Sequence, residues 1–121
     1  TGRPLIVDLK TTQDADPETF DRTALKYGYD QQQAHYQDLM EVETGKRPRF
    51  LFVLVEKTAP YLVSVVELDD LFYDLGKQKN VEAAAQWKHA VDTNEWPGYQ
   101  GVHRVLAPVY ALDELEEEIT V

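Results

Sequence analysis

The sequence contains no cysteine. That excludes disulfide frameworks, zinc knuckles, iron–sulfur clusters and thiol nucleophiles, and it fits a reducing, cytoplasmic setting. No apolar run approaches the roughly 18 residues of a membrane span. The longest, Phe50 to Val55, is strand-sized. Ser64 is the sole serine and lies inside an apolar stretch, so a serine-hydrolase triad has no nucleophile. A glycine-rich phosphate loop is also missing. Positive charge is scarce, with 12 Lys+Arg against 22 Asp+Glu and a net charge of −10, which opposes nucleic-acid binding as a property of the whole chain. The distribution softens that objection. Residues 1–61 hold 8 basic against 10 acidic side chains, residues 62–121 hold 4 against 12, and five of the latter acids fall between Asp113 and Glu118. A locally basic surface remains open to the first half.

What is present is enough for one domain. The chain has 121 residues, 43% hydrophobic and 11% aromatic, with no internal repeat, low-complexity tract or linker. It opens on Thr1-Gly2-Arg3-Pro4 without a methionine or a charged leader. This opening reads as the turn of a hairpin whose first strand is missing, so residues 1–121 are expected to be the C-terminal portion of a single, longer domain.

Element signals are clear in places. Pro4 to Lys10 is a strand that fades into the polar Thr11 to Asp16. Asp16-Pro17 starts a short helix ending near Tyr27-Gly28, and a longer helix runs from Tyr29 to Thr44 and stops at Gly45. Phe50 to Glu56 lacks polar alternation, which predicts a strand covered on both faces. Tyr61 to Leu68 returns as its hairpin partner after a turn at Lys57 to Pro60. Asp69 caps a long helix to about Glu95, with Leu71, Phe72, Leu75, Ala83, Trp87 and Val91 as candidate buried positions and Gly76 weakening it by about 1 kcal/mol relative to alanine. A turn at Trp96 to Tyr99 and a short acidic helix over Leu112 to Glu118 follow. The order implies an α/β fold in which the first strand lies beside Phe50–Glu56 through a helical crossover.

Chemistry concentrates in two places. On a strand the side-chain period is two, so Asp8 and Lys10 project from one face, about 7 Å apart along the chain. A carboxylate there can hold a divalent cation, the ammonium can steer an attacking water, and the Leu9 carbonyl can complete an oxygen shell. A plain surface ion pair is the competing reading. Gln32 and Tyr36, four apart on the second helix, share a face and can orient a water, the lysine or a phosphate oxygen. A polar stripe on a helix also carrying Gln31, Gln33 and Gln37 is the alternative.

Taken together, Asp8-Leu9-Lys10-Thr11 followed by Gln32-Gln33-Ala34-His35-Tyr36 resembles the PDDEXK nuclease superfamily in its RecB/lambda-exonuclease-like branch. The surrounding Lys26 to Asp30, Arg47 to Phe52 and Pro60-Tyr61 look most like the RecE-like (exodeoxyribonuclease VIII, YqaJ-related) recombination exonucleases of phages and prophages. The resemblance implies a restriction-endonuclease-like core, a central mixed sheet flanked by helices with its N-terminal part missing. It also implies that Asp8 and the Leu9 carbonyl ligate Mg²⁺ or Mn²⁺, that Lys10 activates the nucleophilic water, and that Gln32 and Tyr36 line the site. Thr11 would contact a DNA phosphate, and the basic Arg47 and Arg49 at a helix–strand junction would touch the backbone, although a solvated turn serves them equally. The family's second acidic metal ligand, on a preceding strand, has no counterpart in these residues.

The implied activity is metal-dependent 5′→3′ degradation of linear double-stranded DNA from its ends, by a ring-shaped homo-oligomer working with a single-strand annealing protein. A RecB-type or phage endonuclease module, and a non-catalytic interaction module keeping the nuclease scaffold, are the alternatives. His35, turned about 100° from its neighbours on the helix, and the isolated His89 and His103 read as non-ligands, and Trp96 and Tyr99 as core or subunit contacts.

Overall fold

A computed structural model describes residues 2–119, with side chains through Glu117. The elements are β1 (Leu5–Thr12), a single 3-10 turn (Pro17–Thr19), α1 (Phe20–Tyr27), α2 (Tyr29–Thr44), β2 (Arg49–Glu56), β3 (Val63–Val66), α3 (Asp70–Thr93) and α4 (Tyr110–Ile119). The strands form one sheet in the order β1-β2-β3. β1 pairs parallel to β2, with Asp8 opposite Phe52 and Lys10 opposite Leu54, while β2 and β3 form the antiparallel hairpin. The fold is therefore mixed α/β, with α1 and α2 making the crossover. No helix among the described residues is long and apolar enough to cross a membrane.

Local chemistry sets the boundaries. Asp16 Oδ1 accepts from the Glu18 amide at 3.0 Å and Pro17 supplies the first helical φ, which starts the 3-10 turn leading into α1. Gly28, at φ 71°, reverses the chain between α1 and α2, and Gly45, at φ 74°, ends α2 with its amide on the Glu41 carbonyl. Asp69 caps α3 by accepting from the Phe72 amide at 3.2 Å. β3 is shorter than the apolar stretch Tyr61 to Leu68 predicts: Val63–Val66 is in register with β2, and outside it the Leu62 carbonyl accepts from the Glu56 amide at 3.0 Å.

The core lies on one face of the sheet. Phe50, Phe52 and Leu54 are fully buried there against Phe20, Ala24 and Ala15, with Ile6, Tyr29, Val66 and Phe72 around them. Phe52 sits at the centre, its ring 5.5 Å from Phe20 and 5.8 Å from Tyr29. Each such ring contributes about 1.5–3 kcal/mol by leaving water.

Two expectations are corrected. Coverage of both faces of Phe50–Glu56 fails among the described residues. Leu51, Val53 and Val55 are half-buried, while Leu5, Val7, Leu9, Val63 and Val65 on the same face are exposed. The buried stripe of α3 is also different. Leu71, Leu75, Ala83, Trp87 and Val91 are exposed, whereas Tyr73, Gly76 and Ala90 are buried. α3 packs on α2 rather than on the sheet, through a polar and small-residue face. Gly76 is required by that packing, since a Cβ there would collide with the Asp30 carbonyl.

Candidate active site

The even-numbered side chains of β1 face the helices. Asp8 and Lys10 consequently stand on the core side of the sheet, in register with Phe52 and Leu54, at the margin where the core meets solvent. The Lys10 Nζ lies 2.9 Å from Asp8 Oδ2. Its aligned hydrogen bond, however, goes to Gln32 Oε1 at 2.8 Å. A third contact holds the ammonium 4.3 Å from the centroid of the Tyr29 ring. Lys10 is thus fixed by an anion, an amide oxygen and an aromatic face at once. The strand-borne pair and the helix-borne amide, 22 residues apart in sequence, meet at one point.

The placement of Gln32 depends on how α2 is held. Asp30, wholly buried in the first turn of that helix, pairs with Lys79 of α3 at 2.6 Å. Asn80 Nδ2 donates to the Gln31 carbonyl at 3.0 Å, and the Tyr73 hydroxyl donates to Asp38. Burial, and then the carboxylate of Asp38, push the Tyr73 phenol above its ordinary range, so it remains a donor. Gln37, also buried, donates to the Pro48 carbonyl at 2.9 Å and fixes the middle of the helix. α2 is therefore clamped from Asp30 to Asp38, the half that carries Gln32 and Tyr36.

Tyr36 lies one turn beyond Gln32, 44% exposed, and lines a small apolar groove with Ile6 of β1. α2 accordingly runs antiparallel beside β1, with Gln32 at the Lys10 end and Tyr36 at the Ile6 end. The Leu9 carbonyl can be placed from the ladder. Pro4 and Thr12 direct their carbonyls to β2, so by the two-residue period Leu9 directs its own to the open edge of the sheet. Thr11 alternates to the opposite face from Lys10 but still contributes to the wall of the adjoining cleft. Arg47 and Arg49 are not brought to this point. The Arg47 guanidinium stacks 3.2 Å from the centre of the Tyr73 ring. Arg49 is forked onto Glu67 of the hairpin, at 2.8–3.0 Å, which raises the arginine above its usual value and lowers the carboxylate, in each case chiefly through that hydrogen bonding.

A divalent cation fits the donor chemistry at Asp8. Its Oδ2 is buried and accepts no aligned hydrogen bond despite the nearby ammonium, which leaves a lone pair free for a hard cation. Magnesium is commonly held by one or two carboxylates with waters and substrate phosphates completing the shell. The set is sparse, since the described residues contain no group of three His, Asp or Glu placed to hold a metal.

Two contributors escaped sequence reasoning. Tyr29 is three residues before Gln32 and so on the same helical face, a spacing that marks it in retrospect. Asp30 had no such signal, because its role depends on Lys79, 49 residues away.

The fold agrees with comparisons to known proteins. The sequence pattern of a PDDEXK-like domain family of unknown function (DUF3799) matches residues 2–106. Among curated proteins none matches. A crystal structure from Eubacterium rectale, described as a "Putative exonuclease", superposes with a TM-score of 0.60 at 19% identity, covering 89% of this chain. The chain spans 46% of that protein's length.

Proposed function

The chain belongs to this PDDEXK-like family and has its nuclease-type fold, and on that premise we propose that it forms part of a metal-dependent DNA exonuclease. The observation that carries the reading is the convergence of Asp8, Lys10 and Gln32, with a carboxylate oxygen left free of hydrogen bonds. The reaction is hydrolysis of a phosphodiester by in-line attack of water. A divalent ion, Mg²⁺ or Mn²⁺, would be held by Asp8 and the Leu9 carbonyl and would supply stabilisation of the charge developing on phosphoryl oxygens. Lys10, as an ammonium held by Gln32 and Asp8, orients the attacking water and steadies the charge that develops, while the water's proton passes to solvent and the departing oxygen takes one from solvent. Gln32 and Tyr29 keep the ammonium from swinging onto solvent, and Tyr36 lines the approach. The name of the solved relative supports exonuclease action and nothing finer; the RecE-like text of the sequence alone suggests linear duplex ends, 5′→3′ polarity, phage-type recombination, a ring of subunits and an annealing partner.

A second reading, a non-catalytic module on the nuclease scaffold, is favoured by the single carboxylate at the site among the described residues. One experiment separates them. The full-length protein is given linear and closed circular duplex DNA with Mg²⁺ or Mn²⁺. Loss of the linear form alone is expected. Cutting of the circle would turn the assignment to an endonuclease, and no cutting with either ion would leave the scaffold reading.

A further inference from the structure

At the amino ends of β1 and β2, α2, α3 and the β3–α3 connection enclose a polar cavity of about 90 Å³. It shares no lining residue with the cleft beside Lys10, which lies at the other end of these strands. Its volume is the room of about three waters, too little for a nucleotide. Three buried polar atoms of its lining residues have no hydrogen-bond partner: Gln33 Oε1, Gln37 Oε1 and Arg47 Nη2. The two glutamines are only 3% and 5% exposed. Buried polar groups are as a rule paired, so three orphans on one small cavity mark an unmet demand for a ligand. Water answers the glutamines but leaves the charge of Arg47 uncompensated.

Arg47 sets the sign of that ligand. The Tyr73 ring, 3.2 Å from the guanidinium carbon, covers its face and leaves the in-plane Nη2 donor unused. Arg47 forms no ion pair among the described residues. Arg3 adds a second positive charge to the wall and donates from Nε to the Arg47 carbonyl at 2.9 Å. The neighbouring acids do not answer it. Glu67 has both oxygens on Arg49, and Asp70 is exposed to solvent. The glutamines then decide among anions. Gln37 is fixed with its oxygen as an acceptor, because Nε2 donates to the Pro48 carbonyl at 2.9 Å. The Gln33 side chain makes no hydrogen bond and can present either end of its amide by a half-turn. A carboxylate has no proton for Gln37. Hydrogen phosphate has a hydroxyl for it, and further oxygens for Arg47 and for the Gln33 Nε2.

We propose that this cavity is a binding site for inorganic phosphate, held by the Arg47 guanidinium and the amides of Gln33 and Gln37. The ion joins α2 to the segment entering β2, and so reinforces the helix that carries Gln32. The site stands independently of the nuclease chemistry at Lys10.

The test is calorimetric titration of inorganic phosphate into the full-length protein near neutral pH, at constant ionic strength in chloride, with EDTA present to keep divalent ions off Asp8. Binding of one phosphate per chain is expected. The melting temperature should climb by about 3–6 °C for each tenfold rise in phosphate above the dissociation constant. Acetate at the same ionic strength should give no such rise. Arg47→Met is expected to abolish the binding heat. Gln33→Glu sets a carboxylate on the same cavity as Arg47. It should abolish phosphate binding while melting no lower than the wild type, an outcome that mere disruption of the fold would not give. Lys26→Ala/Lys57→Ala, on the separate cleft beside Lys10, should bind phosphate as the wild type does. Circular dichroism of each variant shows whether it is folded. No binding heat with phosphate, an equal rise with acetate, or binding that survives in folded Arg47→Met and Gln33→Glu overturns the inference. Loss of binding in the lysine variant alone overturns it too, by moving the ion to the other cleft.

Discussion

Lys10 is the residue on which the site turns, and its three restraints differ in kind. Gln32 offers a directed acceptor, Tyr29 a ring face and Asp8 an opposite charge. Removing the hydrogen bond with Gln32→Ala is expected to lower kcat about tenfold or more, given about 1.5–3 kcal/mol for a hydrogen bond to a charged group. Gln32→Glu keeps the acceptor and should shift the pH profile instead, while oligonucleotide affinity stays constant in both. Tyr29→Phe retains the ring face and is expected to retain activity, whereas Tyr29→Leu removes a cation–π contact of about 0.5–2 kcal/mol and part of the core. Asp8, Lys10 and Gln32 were legible as a spaced pattern because period-two and period-3.6 geometry place them without knowledge of the fold. Tyr29 was not singled out, because an aromatic at a helix start says nothing of a cation until β1 is brought beneath it.

Among the elements, α2 was the most legible, since a glycine at each end marks its limits and both take φ above 70°. α3 was the least. Its apolar residues suggested one face, yet the helix docks through Tyr73, Gly76, Lys79 and Asn80 onto α2, a surface defined by small size and hydrogen bonding rather than by hydropathy. Gly76→Ala is therefore expected to destabilise the domain by about 1–3 kcal/mol through overpacking against Asp30, read as a lowered melting temperature. The helix-propensity gain of about 1 kcal/mol points the other way and should lose. The β2–β3 hairpin carries a weaker, pH-sensitive link. Glu67 is held below its ordinary value by Arg49, so its stabilisation is present above the unfolded carboxylate value and disappears as pH falls through the folded one. Glu67→Gln should remove that part of the acid limb in melting curves and leave the neutral limb only slightly lowered, as suits an exposed pair.

At the scale of the molecule, two asymmetries stand out. The sheet has a packed face and an apolar face that the described residues leave open, with Leu5, Val7, Leu9, Val63 and Val65 exposed on it. Continuous apolar text in Phe50–Glu56 signalled a strand covered on both faces, whereas the described residues cover one face only. The sequence could not signal how far the described residues cover it, because coverage is a matter of what else is present. Such a patch is expected to bind a hydrophobic dye and to promote self-association, both reduced in Val7→Lys/Val65→Lys. The second asymmetry is electrostatic: in a strongly acidic chain, Lys10, Lys26 and Lys57 line one cleft against a single acid, Asp14.

The most direct measurement is the single-turnover rate of duplex cleavage by the full-length protein in Mg²⁺ or Mn²⁺, comparing wild type with Lys10→Ala at matched DNA occupancy. A fall of about 10²- to 10³-fold is the predicted result, the range for loss of a donor aimed at developing charge. An unchanged rate in Lys10→Ala would contradict the account and move the chemistry away from β1.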